Sequence, residues 1–522
     1  MTKTFPSPDE LWHLVWHKIP AYAKWTFFST IIVGLIAHTY MFTNKFPNHD
    51  DIYALFDASY GVQSGRWFLA TVLSWDGQLS MPWIIGVLGL FFLGLTAALT
   101  ANLFHIYKPI PCFLTGALIA SAPMVCATYA YMFTADGYFF AAFLVSVGVF
   151  LLIRFHTVGF LLSIFFICLA TGIYQAYFPL AVVLILGALL MDILVSKRPF
   201  KYYFFKSFTT LIALVLSLVS YFVIMKFTTR NQPLTEYMGL NSMGQVELGK
   251  LPQLIQNAYQ AFFSCFFENK LGLSFEWLHY FLTASLGASF ILILILFWQK
   301  KLSPLKIFLA LLYLVLYPLA GNLIYVMSGL TDPHLLMLIP SIYFFILPVA
   351  VASQASELLV QDKNFKRISQ VILVWIITLT MLLTVYSNII TDNKAYFRMN
   401  LAQEQIKAYS TRLIADIVKN PDYTPDIEVY FIGSRIRDEK LRVDSELQDF
   451  NISGVPSFAD MRTSYSYGLY LNRFMAFPNK TFAVATEEKK KVTKDPYVLA
   501  MPRYPDPKSI QKVGDYLVVK FN

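Results

Sequence analysis

The sequence predicts a polytopic α-helical membrane protein with about eleven transmembrane helices and a small C-terminal α/β domain on the extracytoplasmic side. The chain is 57% hydrophobic and 14% charged, whereas a soluble domain carries about 25% charged residues. The charge is also uneven. Residues 1–390 hold 21 Lys and Arg and 15 Asp and Glu, and residues 391–522 hold 20 and 17. The last quarter of the chain therefore has the charge density of a water-soluble domain.

Eleven apolar runs have the length needed to cross a hydrocarbon layer of about 30 Å. Each is bounded by charged, proline-containing or glycine-containing segments, and the two runs between residues 158 and 195 have the weakest boundaries. The runs cover residues 24–43, 82–105, 110–132, 137–154, 158–174, 177–195, 204–227, 279–298, 306–327, 335–352 and 368–390.

The loop charges predict the orientation of these spans. With the N-terminus in the cytoplasm, the cytoplasmic segments hold fifteen Lys and Arg and the opposite loops hold six. Short cytoplasmic loops are enriched in Lys and Arg, so we expect a cytoplasmic N-terminus and an outer C-terminal domain. The first residues, PDELWHLVWHKI, have the pattern of an amphipathic helix lying on the inner leaflet.

Composition also excludes several classes of function. The net charge of +9 comes from Lys and Arg residues beside the hydrophobic spans, which is explained by orientation in the membrane. These residues form no basic patch interleaved with aromatics, so we expect no nucleic-acid partner. The four cysteines predict neither a disulfide framework nor a metal cluster. Motifs for nucleotide phosphates, dinucleotides, serine hydrolases and zinc proteases are absent, and we expect no cofactor and no metal.

We predict two domains. Residues 1–390 form a transmembrane catalytic domain with two long outer loops, 43–81 and 228–279, whose apolar residues recur at helical spacing. Residues 391–522 form the extracytoplasmic domain, with an amphipathic helix after the last span and strands at IEVYFIG and DYLVVKF. Because the cytoplasmic loops are short, an elaborate site is expected on the outer side.

Three carboxylates are candidate catalytic residues. Asp50 and Asp51 lie in NHDD directly after the first span, where one of them could act as a general base; successive helical residues point about 100° apart. Both could also be solvated charges at a helix start. Asp136, in the TADGYFF turn, either caps the following helix or lines the same cavity.

Outer cations are candidate ligands of a lipid phosphate. Arg66 lies in the SGRW turn, where Gly65 permits a close backbone approach and a guanidinium can bind phosphate in a bidentate way. Lys226 and Arg230 flank the outer end of the seventh span. They could bind phosphate from another direction or could extend into the lipid headgroup region.

Three further residues are candidate substrate-binding groups. Tyr174 and Gln175, in TGIYQAYFPL, interrupt the fifth and sixth spans and could bind sugar hydroxyls, although interfacial tyrosines are common. His334, in the TDPH turn, could bind substrate or simply start a helix. No large cytoplasmic domain and no DxD motif are present for a nucleotide-sugar, which favours a lipid-linked donor used outside.

The order of these features resembles the bacterial glucosyl transferase family II, which includes enzymes that glucosylate O-antigen and convert serotype. The features are NHDD after the first span, the SGRW turn, the Asp136 turn, the IYQAY break and an outer soluble tail. The resemblance implies a GT-C-type glycosyltransferase of the bacterial inner (plasma) membrane. It would move a sugar, glucose by family default, from a polyprenyl-phosphate carrier to a surface polysaccharide such as lipopolysaccharide O-antigen.

The resemblance further implies that Asp50 or Asp51 is the base and Asp136 a second acidic site residue. It also implies a polyprenyl-phosphate sugar synthase and a small flippase as partners. Two alternatives remain from the residues alone: a flippase or transporter of lipid-linked sugars, and an O-antigen polymerase or ligase. The transferase is preferred because the spans hold almost no ionisable residues and the outer cations are few.

Overall fold

The computed structural model describes residues 6–57, 64–230, 248–268, 275–329, 332–359, 366–433, 447, 452–482 and 487–521. Parts of both predicted outer loops, residues 58–63, 231–247 and 269–274, lie outside these ranges. Within the described ranges the chain is a helical bundle followed by a small domain that contains a four-stranded sheet.

The helices of the bundle follow the apolar runs of the sequence, and several begin at a proline, whose fixed φ suits the first helical turn. They are α1 Pro8–Lys18, α2 Ala21–Phe42, α3 His49–Tyr53, α4 Leu69–Leu73, α5 Pro82–Leu103, α6 Pro109–Ala120, α7 Pro123–Tyr129, α8 Ala135–Arg154, α9 Thr157–Ile173, α10 Phe178–Val195, α11 Phe200–Thr228, α12 Leu251–Phe267, α13 Leu278–Gln299, α14 Pro304–Gly321, α15 Ile324–Met327, α16 Tyr343–Leu359 and α17 Lys366–Val418.

Every predicted span has a helical counterpart. Among the described residues, nine helical segments are long and apolar enough to cross a membrane, and α6 with α7 forms a tenth that bends by 42°. The shorter apolar helix α9 accounts for the eleventh. The bend falls at Ser121 and Ala122, just before Pro123, because a residue before proline avoids the helical region. The protein is therefore a polytopic helical membrane protein.

The helical spacing predicted in the second outer loop, 228–279, corresponds to α12, whose buried residues Leu254, Ala258, Phe262 and Cys265 share one face. In the first outer loop, 43–81, the predicted helical pattern around Ile52 corresponds only to the five-residue α3.

The last span continues without a break into the small C-terminal domain. Helix α17 has 53 residues, a length of about 80 Å, which is far more than a membrane requires. The predicted span and the predicted amphipathic helix after it are thus one helix, so no linker separates them. Its second half packs Ile406, Leu413 and Ile417 into the core of the small domain.

The C-terminal sheet has the order β2-β1-β4-β3, formed by β1 Glu428–Ile432, β2 Thr481–Phe482, β3 Ile510–Val513 and β4 Tyr516–Lys520. The two strands predicted from sequence, β1 and β4, are parallel neighbours at the centre. The buried side chains of Val429, Leu517 and Val519 pack against α17 residues in one apolar core.

The small domain sits on one end of the bundle, which we call the domain-bearing end. Gln403 Nε2 of α17 donates to the carbonyl of Pro47 (2.8 Å). Arg473 Nη1 donates to the carbonyls of Ile52 (2.6 Å) and Tyr53 (3.0 Å). These bonds fasten the domain to the segment that carries the predicted acidic residues.

Candidate functional site

The short helix α3 presents the two adjacent acids at the domain-bearing end. Its N-cap is Asn48, whose side-chain oxygen accepts a hydrogen bond from the backbone N–H of Asp51 (2.9 Å), as expected for a capping asparagine. The Asn48 amide also donates to the carbonyl of Ala130 (2.8 Å), at the end of α7. The cap therefore ties α3 to the bundle and sets the directions of Asp50 and Asp51.

Asp51 points into the protein. Its side chain is 1% exposed and pairs with Lys45 Nζ at 2.6 Å, and it accepts a further bond from the hydroxyl of Ser80. Lys45 Nζ also donates to the Ser80 carbonyl (3.0 Å). Asp51 thus closes the loop from α2 to α5, since its carboxylate oxygens are occupied by groups from both ends of that loop.

Asp50 points towards the small domain. Its side chain is 23% exposed, and its Oδ1 accepts a hydrogen bond from the Tyr465 hydroxyl (2.5 Å). The Nε2 of His49 lies 3.7 Å from the same oxygen. The carboxylate is therefore oriented by one residue of the small domain while remaining accessible to a ligand.

His334 is close enough to Asp50 and His49 for their charges to affect its pKa. Burial lowers the pKa of His334, and the opposing effect of Asp50 is smaller. The imidazole is consequently neutral near pH 7. Its Nε2 is enclosed and makes no hydrogen bond within the part of the chain that the structure describes.

Arg66 forms a second group with tyrosines from two helices. Its Nη1 donates to the hydroxyl of Tyr138 in α8 (2.9 Å), and its guanidinium carbon lies 4.6 Å from the ring centroid of Tyr174. The rings of Tyr138 and Tyr174 stack, with centroids 4.4 Å apart. Cation–π contact and the hydrogen bond hold the guanidinium in place.

Gln175 fixes the backbone of the SGRW turn. Its Nε2 donates to the Ser64 carbonyl (2.8 Å) and to the hydroxyl of Tyr221 (2.9 Å), which donates in turn to the Gly65 carbonyl (3.1 Å). Gly65 has φ +76°, and a Cβ there would lie 2.6 Å from Gln175 Nε2. The turn that presents Arg66 therefore requires a glycine, for both backbone and space.

Asp136 lies in the first turn of α8, two residues before Tyr138, and is 4% exposed. Its Oδ1 accepts from the N–H of Gly137 (2.8 Å), which is the local bond of a helix-start acid. Asp76 is an electrostatic neighbour of Asp136, and burial raises the pKa of Asp76. Asp136 thus lies on the helix that also carries Tyr138 of the Arg66 group, and its bond to Gly137 is a local one.

One segment connects the group that contains His334 with the group around Arg66. The 3-10 helix Leu335–Ile342 begins after His334 and packs against both α7 and the turn Gln175–Tyr177. His334 directly precedes this segment, and the IYQAY break lies against it.

Lys226 and Arg230 lie exposed at the same end of α11, beyond Tyr221. Neither side chain makes a hydrogen bond or an ion pair with another described residue. They flank the Arg66 group rather than complete it.

Sequence reasoning missed three site residues. Tyr138 and Tyr221 look like ordinary aromatic residues of apolar spans, and only their bonds to the SGRW turn distinguish them. Tyr465 is more than 400 positions from Asp50, so no local pattern could connect them.

The spans also hold more ionisable groups than the sequence analysis expected. His38 of α2 is fully buried, with its ring nitrogens 2.8 Å from the Tyr396 hydroxyl and the Ala120 carbonyl. Asp392 of α17 is fully buried beside Cys126. His38 was missed because it lies within an otherwise apolar run, and Asp392 because the sequence placed it just beyond the last predicted span, 368–390.

A family model described as Glucosyl transferase GtrII matches residues 39–345. The match spans more than half of the 522 residues and includes both groups of site residues, apart from Tyr465 in the small domain. No curated protein and no solved structure matches the chain significantly. The match confirms the resemblance that the order of the sequence features indicated.

Proposed function

The chain belongs to the glucosyl transferase GtrII family and is a membrane glycosyltransferase, and we propose that its donor is a sugar on a polyprenyl-phosphate carrier. The sugar, glucose by family default, goes to a hydroxyl of a surface polysaccharide such as O-antigen, with inversion at the anomeric carbon. The reaction takes place on the extracytoplasmic face of the bacterial inner membrane, beneath the small domain.

The observation that carries the proposal is the placement of Asp50 and Arg66 at one end of the bundle. Inverting transfer requires a base that takes the acceptor proton and a cation that stabilises the leaving phosphate on the opposite face of the sugar. Asp50 is accessible and oriented by Tyr465, whereas Arg66 is held among tyrosines at the ends of the spans. The two groups have the chemistry of these two tasks.

Asp50 rather than Asp51 is the base. A base must reach the proton that it removes, and the oxygens of Asp51 are buried and bonded to Lys45 and Ser80. In the proposed step, an acceptor oxygen bonds to C1 of the sugar as the bond between C1 and the phosphate oxygen breaks. The acceptor proton goes to Asp50, and polyprenyl phosphate leaves with the electron pair.

Arg66 receives the leaving phosphate. A guanidinium presents planar donors that match phosphate oxygens, and stacking against Tyr174 keeps it oriented before the donor arrives. Lys226 and Arg230 attract the same phosphate from the rim, because they are exposed at that end of α11. Positive charge near the developing phosphate stabilises the transition state.

Polar atoms of the IYQAY break bind the sugar. The Oε1 of Gln175 and the hydroxyl of Tyr177 are buried and lack hydrogen-bond partners among the described residues. Unpaired buried polar atoms cost free energy, and sugar hydroxyls would satisfy them. His334 supplies its neutral Nε2 to the acceptor side, and Asp136 is a second acidic site residue at the start of α8, the helix that carries Tyr138.

The proposed donor is synthesised and moved across the membrane by other proteins. A polyprenyl-phosphate sugar synthase would make it, and a flippase would deliver it to the outer leaflet. The excess of Lys and Arg in the opposite loops supports the orientation that this order of events requires.

The test is sugar transfer by the purified full chain in lipid nanodiscs. Radiolabelled polyprenyl-phosphate glucose and O-antigen lipopolysaccharide serve as substrates, with nucleotide-glucose and polyprenyl-diphosphate glucose as control donors. The proposal predicts labelled polysaccharide from the first donor alone, with the anomeric configuration inverted. Transfer from the nucleotide sugar without lipid, or retention of configuration, would contradict it.

A further inference from the structure

A cavity of about 630 Å³ lies between α11 and the turn that joins α8 to α9, which is the size of a typical ligand pocket. Its walls include Lys201, Lys206, His156, Phe160, Phe205 and Thr209. None of the described residues that line it is acidic. The cavity therefore combines positive or neutral polar groups with an apolar floor.

This cavity is far from the candidate site. Asp136 lies in the first turn of α8, whereas Leu152, which lines the cavity, lies in the last. A helix of 20 residues is about 30 Å long. The cavity thus opens at the opposite end of the bundle, where the loops are rich in Lys and Arg.

The two lysines differ in how they are held. Lys206 is half-buried, and its Nζ donates to the carbonyl of Leu152 (2.5 Å) near the end of α8. An ammonium has three donors, so this bond fixes the charge at the cavity wall and leaves capacity for an anion. Lys201, one turn earlier, is exposed at the rim.

The apolar part of the cavity continues onto lipid-facing surface. Phe205, Val158 and Leu161 are 63%, 69% and 61% exposed, and all three belong to apolar helices, α9 and α11. A ligand that fills the cavity thus contacts hydrocarbon on one side and lysines on the other. This combination matches an amphiphile with an anionic head.

We propose that the cavity binds an anionic membrane phospholipid, with its phosphate at Lys201 and Lys206 and an acyl chain along Phe160, Phe205 and Thr209. Basic pockets between transmembrane helices on the cytoplasmic side suit anionic headgroups, and each lysine near such a surface contributes about 1 kcal/mol. A lysine that only extended into bulk headgroups would need no cavity and no fixed position. The site is separate from sugar transfer.

The test is lipid retention by the purified full chain, measured by native mass spectrometry. The protein is exchanged into micelles with equal amounts of phosphatidylglycerol and phosphatidylcholine. Wild type retains phosphatidylglycerol in preference, and Lys201→Gln lowers that preference by about fivefold. Lys201→Gln with Lys206→Gln lowers it by about thirtyfold, and Thr209→Trp lowers retention of both lipids by filling the apolar part.

Lys300→Gln with Lys301→Gln is the matched control, since these exposed lysines follow α13 and do not line the cavity. The control keeps the wild-type preference. Equal retention of the two lipids by wild type would overturn the proposal, as would a control effect as large as that of the Lys201 and Lys206 pair. Displacement of the phospholipid by an equal amount of polyprenyl phosphate would assign the cavity to the sugar carrier and overturn it as well.

The fold of the variants is checked by thermal unfolding in detergent. Lys201→Gln removes an exposed side chain that makes no hydrogen bond to the described residues, so its unfolding temperature stays at the wild-type value. A lost preference in this variant is then a loss of binding and not of fold.

Discussion

The two halves of the first long loop make different contacts: the acidic half contacts both the small domain and the bundle, whereas the half that carries Arg66 packs in the bundle. In the acidic half, Ile52 packs in the apolar core of the small domain, and Tyr465 bonds to Asp50. In the half that carries Arg66, Leu69, Val72 and Leu73 pack in the core of the bundle. One loop therefore carries both Asp50, which bonds to the small domain, and Arg66, which is held by the membrane helices.

This difference suits a reaction between a water-soluble glycan and a lipid-linked sugar. Under the proposed function, the acceptor approaches from the side of the small domain and the donor approaches from the bilayer. Contacts of the small domain should then control use of the acceptor, whereas contacts between Arg66 and the helices should control use of the donor. Each prediction below tests one side of this division.

The largest effect is expected from Asp50→Asn. Loss of a general base lowers kcat by about 10³-fold, because the amide cannot take the acceptor proton, while binding of the donor is unchanged. Transfer from polyprenyl-phosphate glucose by the purified variant measures kcat and the KM for the donor.

Asp51→Asn is the matched control for that prediction. It removes one partner of the buried pair with Lys45, which costs about 3 kcal/mol of unfolding free energy, and it should lower thermal stability more than kcat per folded molecule. Asp50→Asn should leave stability nearly unchanged. The reverse pattern, a stable but inactive Asp51 variant, would make Asp51 the base.

Arg66→Gln should act on the donor. Loss of a charge-assisted bond to phosphate costs about 2 kcal/mol, so the KM for polyprenyl-phosphate glucose rises by about thirtyfold, with a smaller effect on the KM for acceptor. Initial rates over a range of donor concentrations measure the change. A change confined to the KM for the acceptor would contradict the assignment of Arg66 to the donor.

Tyr465→Phe should act on the acceptor side. The variant keeps the ring but removes the hydroxyl that bonds to Asp50, a loss worth about 1 kcal/mol, so kcat falls by about fivefold at unchanged donor KM. Tyr497→Phe, an exposed tyrosine elsewhere in the small domain, is the control and keeps wild-type kinetics. A rise in the donor KM of the Tyr465 variant would contradict the assignment.

The smallest effect concerns pH. Burial lowers the pKa of His334, so the folded protein binds this proton less readily than the unfolded chain does. The contribution of His334 to the free energy of unfolding is therefore fully present above its ordinary pKa of about 6.5. It is lost as pH falls below that value. Protonated His334 would also stabilise the Asp50 carboxylate and weaken it as a base.

The rate of transfer should accordingly fall as pH drops below the ordinary histidine pKa of about 6.5. His334→Gln should flatten this part of the pH profile of kcat without removing activity. A profile that is identical in the variant would place His334 outside the site.

The sequence predicted the bundle well because long apolar runs leave few alternatives in a bilayer. All eleven spans correspond to helices, and the strands around Val429 and Leu517 were found from buried, β-branched patterns. The unbroken α17 was not predicted, because its apolar and amphipathic halves differ in composition while both favour a helix.

The site was predicted as a set of residues but not as an arrangement. Asp50 and Asp51 are indistinguishable in sequence, and only the loop closure by Lys45 and Ser80 separates them. Tyr465 reaches Asp50 through tertiary structure alone, and the pairing of Arg66 with Tyr138 depends on how α8 packs against α9. Such contacts follow from packing, which a periodic pattern does not encode.

The most direct test of the central claim is a cryo-electron microscopy structure with a polyprenyl-phosphate sugar analogue that cannot be transferred. Our account predicts phosphate density within hydrogen-bond distance of the Arg66 guanidinium, and the sugar between Arg66 and Asp50. Phosphate bound at the opposite end of the bundle would contradict it. So would a bound sugar that Asp50 and Arg66 do not both face.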